Sequence, residues 1–134
     1  MHNAWVRYTC GRLESRYRYS ASIVYNNFPW PLALVSSLSQ QEKAQKLQRA
    51  IEAAANAVLK TRAAHVGASL ADLYDPNTMP AYLVKAHREL DRAVDAAYLA
   101  LLPPDTSKPR LDTDARRVAF LFTLYQHLTS LFDE

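Results

Sequence analysis

The amino-acid sequence predicts a mainly α-helical protein: a small antiparallel helical bundle with an N-terminal helix and an extended arm. Three observations lead there. From Gln40 onward, apolar residues recur three and four apart along three long stretches, the pattern of helices that each bury one face. Prolines stand between these stretches and ahead of the first, at Pro29, Pro31, Pro76, Pro80, Pro103 and Pro104, where a chain turns between elements. Between Gly11 and Pro29 the period changes, and β-favouring side chains replace the helical spacing.

The N-terminal stretch Met1 to Leu13 is compatible with a helix, because Trp5, Tyr8 and the pair Cys10/Leu13 fall near one face while Asn3, Arg7 and Arg12 point elsewhere. No capping residue precedes it, so it reads as a cut made inside a longer protein. Tyr17, Tyr19, Ile23 and Tyr25 predict an extended segment from about Tyr17 to Tyr25. Pro29 and Pro31 forbid a regular strand or helix around Trp30. The first long helix runs from Gln40 with Ser39 as its cap; Ala44, Leu47, Ile51, Ala54 and Val58 line one face, and Glu42, Lys46, Arg49 and Lys60 the other. A short element, Leu70 to Tyr74, opens at Ser69 and closes on the turn-forming run DPNTMP. After Pro80, the residues Leu83, Ala86, Leu90, Ala93, Val94, Ala97 and Leu101 form the second stripe, which Pro103 and Pro104 end. Asp112 or Thr113 caps the last helix, whose stripe is Val118, Leu121, Leu124, Tyr125, Leu128 and Phe132. Three long helices and a short one suffice for an antiparallel bundle.

A chain of 134 residues, 49% of them hydrophobic, is long enough for one domain with a core and too short for two independent ones. It contains no run of eighteen apolar residues and no signal-peptide segment, so the expected setting is cytoplasmic, with no membrane partner. Cys10 is the single cysteine and cannot form an internal disulfide, which agrees with a reducing compartment. With two glycines, neither GxGxxG nor GxxxxGK[ST] is present, which excludes both common phosphate-cradling loops.

Charge is distributed unevenly. Residues 1–31 hold four arginines, Arg7, Arg12, Arg16 and Arg18, against one acid, Glu14, whereas residues 32–134 carry twelve basic and twelve acidic residues. The whole formal charge of +3 therefore belongs to the first quarter, where guanidinium groups alternate with aromatic rings in RYRYSASIVYNNFPWP. Cations interleaved with flat rings suit phosphates and bases better than lipid or metal.

The run YRYSASIVYNNFPWP, preceded by MHNAWVRYTCGRL and followed by SLADLYDPNTMP and KAHRELDRAVDAAY, resembles the C-terminal part of the MmeI-like family of bacterial restriction-modification proteins. These are large single-chain enzymes combining an endonuclease, an adenine-N6-specific DNA methyltransferase that uses S-adenosylmethionine, and a target-recognition domain followed by a helical tail. The resemblance spans nearly the whole chain with its motifs in order. It implies that residues 1–31 are the tail end of the target-recognition domain and residues 32–134 the C-terminal helical domain. Double-stranded DNA and the remaining domains of the parent chain are the implied partners. S-adenosylmethionine, and Mg2+ if a nuclease is present, would belong to the parent, with no cofactor in this fragment and no catalysis by it alone.

In such recognition domains the positions just before the YRYS run differ between members and, by resemblance, help choose one base pair of the target; here they are Glu14 and Arg16. A carboxylate accepts from cytosine N4 and a guanidinium forks onto guanine O6 and N7, so the two suit one C·G pair in the major groove. The bland alternative is a solvent-exposed Glu14–Arg16 ion pair. Arg18 shares a side with Arg16 if the segment is extended, which makes it a third base-reading candidate. Arg7 and Arg12 are placed as phosphate contacts, adding affinity and salt dependence without sequence information. Tyr17, Tyr19 and Tyr25 either touch DNA or pack one side of a strand.

Other candidates carry less. Asn27-Phe28-Pro29-Trp30 imitates an amino-methyltransferase N-P-P-aromatic motif but lacks its first proline, so Phe28 and Trp30 read as anchors and no catalytic residue is assigned. His87 and Asp91, a helical turn apart, sit among Arg88, Glu89 and Arg92 as part of a solvated charge network. His2, His65, His87 and His127 lack metal-ligand spacing, so no metal site is assigned. Tyr74, Asp75 and Thr78 read as turn chemistry, and Cys10 has no nearby histidine to activate it. Two readings compete with the first: a stand-alone helical module whose basic arm binds any nucleic acid or an acidic protein, and a small hydrolase built on His87 and Asp91.

Overall fold

The computed structural model describes residues 1–35, 37–103 and 106–130. It is mainly α-helical, with one small antiparallel sheet: α1 (His2–Thr9), β1 (Gly11–Leu13), β2 (Arg16–Arg18), α2 (Leu38–Ala63), α3 (Leu70–Leu73), α4 (Ala81–Leu101) and α5 (Asp114–Ser130). A π-helical turn, Ala21–Tyr25, and a 3₁₀ turn, Pro31–Leu34, lie between β2 and α2. Pro104 and Phe132, expected at a helix end and on the last stripe, lie outside the described residues. The chain divides into two compact units, one formed by Met1–Ser36 with Leu101–Glu134, the other by Ser37–Ala100.

In the first unit the helix expected over Met1 to Leu13 is shorter, and its last residues form a strand instead. α1 stops at Thr9, Cys10 is extended at φ −76° and ψ 138°, and Gly11–Leu13 pairs with Arg16–Arg18. Trp5 is buried, yet Tyr8 and Leu13, expected on the same face, are 61% and 68% exposed, because the chain leaves the helix before that face is complete. α1 lies against α5: the Trp5 ring is 5.0 Å from Phe122 and 6.1 Å from Tyr125, and Arg7 donates to Asp114 at 2.5 Å. Val118, Leu121 and Leu124, the core face of α5, are buried as their spacing predicts. Thr113 rather than Asp112 caps this helix, accepting from the Arg116 N–H at 3.3 Å. Asp112 instead takes Arg116 in a two-pronged pair at 2.6 and 2.7 Å, which holds its carboxyl below the usual range.

The extended segment expected from Tyr17 to Tyr25 is corrected too. The strand ends at Arg18, and residues 21–25 coil into the π-helical turn. Ser20 starts that turn by accepting from the Ile23 N–H at 3.4 Å, and the buried Trp5 indole N–H donates to the Val24 carbonyl at 3.1 Å. Val24 is completely buried while Ile23 and Tyr25 are exposed, so one anchored residue overrides the β preference of its neighbours.

In the second unit, Val58 of α2, Leu73 of α3 and Leu83 of α4 form the core, with Met79, Ala86 and Leu90 packed against it. The cap of α2 is Ser37, which accepts from the Gln40 N–H at 3.3 Å, and the helix therefore starts two residues before the Gln40 expected. Ser39 supports it through a hydroxyl contact with Ser37 at 3.1 Å. α3 carries the full capping box that Ser69 signals. The Ser69 hydroxyl accepts from the Asp72 N–H, and the Asp72 carboxylate accepts from the Ser69 hydroxyl and from the Ser69 N–H, two bonds that lower the Asp72 pKa. Tyr98, absent from the predicted stripe, is buried beside Ala97, and burial raises its phenol pKa.

Candidate nucleic-acid interface

The basic N-terminal segment folds into a β-hairpin that projects its cations on defined faces. Gly11 pairs with Arg18, Arg12 with Tyr17 and Leu13 with Arg16, which leaves Glu14 and Ser15 as a two-residue loop. Paired residues share a face and successive ones alternate, so Leu13, Arg16 and Arg18 project from one side and Arg12 with Tyr17 from the other. Every residue from 11 to 19 is exposed.

Glu14 lies at the apex with φ 57°, the one non-glycine residue with positive φ among the described residues. A two-residue hairpin turn needs φ > 0 at a central position and takes glycine or asparagine there most readily. Among the described residues, none forms a hydrogen bond or ion pair with the side chains of Glu14, Arg16 or Arg18, so the Glu14–Arg16 ion pair weighed from the sequence is not formed. Three charged groups thus stand unneutralised within five residues of chain, two of them on one face and the third at the tip.

The two arginines read as phosphate contacts differ in their surroundings. Arg7 is tied to Asp114, which also meets Arg117 at 3.5 Å, so its charge is compensated inside the unit. Arg12 lies over the Tyr17 ring at 4.7 Å from its centroid and donates to the Tyr17 hydroxyl at 3.4 Å. The sequence reading missed this role for Tyr17. The pairing is a cross-strand one, and nothing in the local sequence announces the turn that creates it.

Around His2 the aromatic residues of this segment form one linked cluster. His2 meets Phe28 edge-on at 4.6 Å, stacks with Trp30 at 5.9 Å and contacts the Tyr19 hydroxyl through Nε2 at 3.1 Å. Burial lowers the His2 pKa below the ordinary 6.5. Phe28 is buried and also meets Trp5, while Trp30, 41% exposed, packs beside Tyr25. The Asn27 amide donates to the Ser22 and Ile23 carbonyls at 3.4 and 3.1 Å. A methyltransferase asparagine must turn its carbonyl to a target amine inside an open pocket; here Asn27 closes its own turn and Phe28 is core.

His87, half-buried on α4, contacts the Tyr74 hydroxyl at 2.7 Å, and Asp91 is exposed on the same helix. His65 stacks on Tyr82 and contacts its hydroxyl. The Asp75 carboxylate accepts from the Asn77 N–H at 2.7 Å, and the Thr78 hydroxyl donates to the Asp72 carbonyl, which is turn chemistry. The Cys10 thiol, half-buried, donates to the Gly11 carbonyl. Among the described residues no helix is long and apolar enough to cross a membrane, and no group of His, Cys, Asp and Glu side chains is gathered as for a metal ion.

Residues 41–133 match the family described as "MmeI, C-terminal domain", and residues 1–32 match "MmeI, target recognition domain". The chain belongs to the MmeI family. DNA methyltransferase A of Bacillus subtilis (strain 168) is 38% identical over 129 residues, which are 96% of this chain and 12% of that protein. The solved structure of the Type IIL restriction-modification enzyme MmeI in complex with DNA is 49% identical, with a TM-score of 0.75, over 96% of this chain and 15% of that one. The chain therefore spans about an eighth of the relative and a slightly larger share of the solved MmeI chain. In MmeI-family terms, the hairpin falls in the part matching the target recognition domain, and α2, α3 and α4 lie almost wholly in the part matching the C-terminal domain.

Proposed function

We propose that this chain is the DNA-reading end of a bacterial, cytoplasmic MmeI-like restriction-modification methyltransferase. Residues 1–31 close its target-recognition domain, and residues 32–134 form its C-terminal helical domain. The observation that carries the reading is the hairpin: an exposed ribbon that presents Arg16 and Arg18 on one face and Glu14 at its tip, all without protein partners among the described residues. A two-stranded ribbon fits the major groove, where guanidinium and carboxylate groups discriminate a C·G pair. Glu14 and Arg16 read bases with Arg18 beside them, and Arg7 and Arg12 contact phosphates. The likeness to an MmeI enzyme solved with DNA supports the same reading.

The chemistry belongs to the rest of the parent. Methyl transfer to adenine N6 requires a pocket for S-adenosylmethionine and an extruded base, and any cleavage requires Mg2+. The Asn27 amide is spent on the carbonyls of its own turn and Phe28 is buried, which supports reading this chain as contributing recognition, with catalysis left to the rest of the parent.

The test uses the full-length enzyme containing this chain, with Glu14 and Arg16 exchanged for Lys and Asp and the methylated sites mapped on genomic DNA. The expected result is a changed preference at one base pair with the methyl-transfer rate retained on the new site. An unaltered site would refute the base-reading assignment. A reading frame that truly starts at Met1, with no N-P-P-aromatic motif ahead of it, would refute the parent enzyme.

A further inference from the structure

The hairpin's second face carries a device distinct from the base-reading face. Arg12 and Tyr17 are directly opposed across the two strands, and the Arg12 guanidinium rests 4.7 Å from the Tyr17 ring centroid with a hydrogen bond to its hydroxyl. Both residues are exposed, and neither makes an ion pair among the described residues. A carboxylate partner fixes an arginine but cancels its charge, as Asp114 does for Arg7. An aromatic face fixes the group through the ring quadrupole and leaves its full positive charge facing outward.

A free arginine loses side-chain entropy when a phosphate orders it. A guanidinium already held on a ring has lost part of that freedom before binding, and its planar fork stays open to a bidentate phosphate contact. Arg12 leaves the ribbon on the face opposite Arg16 and Arg18, and an arginine that meets a phosphate fixes position and affinity without carrying sequence information.

We propose that Tyr17 is a positioning residue: it holds Arg12 in an oriented, uncompensated state ready for a DNA phosphate and does not itself read sequence. This rests on the recognition reading above and adds to it the residue that organises the non-specific part of the contact.

The test is a double-mutant cycle in the full-length enzyme, measuring DNA affinity against salt concentration for Tyr17→Leu, Tyr17→Phe, Arg12→Gln and the Tyr17→Leu/Arg12→Gln pair. Arg12→Gln should weaken binding to all sequences and lower the salt slope by about 0.9, the loss of one phosphate contact. Tyr17→Leu should weaken binding about threefold or more through the same slope, and Tyr17→Phe, which keeps the ring, should stay close to wild type. In the Arg12→Gln background Tyr17→Leu should cost nothing further. Additive effects, an effect of Tyr17→Leu that Tyr17→Phe shares, or a shifted methylated sequence in Tyr17→Leu would each overturn the proposal. The Glu14/Arg16 exchange is scored separately by site mapping, so a failed coupling leaves the base-reading assignment standing, and an unaltered site does not touch the coupling.

Discussion

At the scale of single residues, the apex of the hairpin holds a conflict between backbone and side chain. Glu14 adopts φ 57°, a region that costs an L-residue roughly 1–2 kcal/mol and glycine almost nothing. Its carboxylate gains nothing in return from the described protein, since no partner meets it there. Strain that the folded chain does not use points to a use outside it. Glu14→Gly is therefore expected to stabilise the hairpin by about 0.5–1 kcal/mol, seen as slower hydrogen exchange of the strand amides, while the full-length enzyme loses discrimination at one base pair. Faster exchange in the variant would show that the apex is not strained. The same conflict explains why the hairpin is not legible in the sequence. A two-residue loop is announced by Asn-Gly, Asp-Gly or a leading glycine, and Glu14-Ser15 has none of these. Without the turn, neither the pairing of Arg12 with Tyr17 nor the separation of the arginines onto two faces can be read from spacing.

At the scale of elements, Trp5 decides what the N-terminal segment becomes. It is 2% exposed, meets rings from α5, and donates its indole N–H to the Val24 carbonyl, which ties the π-helical turn to α1. Trp5→Phe keeps an aromatic ring but leaves a buried carbonyl without its donor. The expected loss is about 1–3 kcal/mol in chemical unfolding, with the turn at residues 21–25 losing amide protection first. Wild-type stability would mean that the turn holds by its own Ser20 and Asn27 caps. The long helices behave differently because their signal is local. Each apolar stripe recurs with the helical period, and Ser69 and Thr113 cap through their own side chains, so existence, type and buried face were all readable. Only boundaries moved, as at α2, where Ser37 and Ser39 compete as caps and the hydroxyl two residues earlier takes the role.

At the scale of the whole molecule, the uneven charge sets how binding should respond to salt. Residues 1–31 carry the entire formal charge of +3, and Asp114 compensates Arg7 within its unit. Arg7→Ala in the full-length enzyme is expected to weaken binding to every sequence, but to reduce the salt slope by less than Arg12→Gln, because a compensated cation releases fewer counterions. A larger slope change for Arg7→Ala than for Arg12→Gln would show that DNA breaks the Asp114 pair and uses Arg7 as the main clamp. The sequence by itself determined the helical class, the three buried stripes, the cap at Ser69, a cap at Asp112 or Thr113, and the concentration of cations ahead of Pro31, since all of these follow from residue type, periodicity and composition along the chain. Only the tertiary structure decided that α5 joins α1 in one unit, that residues 21–25 coil instead of extending, and that Arg12 and Arg16 leave opposite faces of a ribbon. Each of these depends on groups distant in sequence meeting in space: a tryptophan indole reaching a carbonyl nineteen residues on, and strands registered by an unannounced turn.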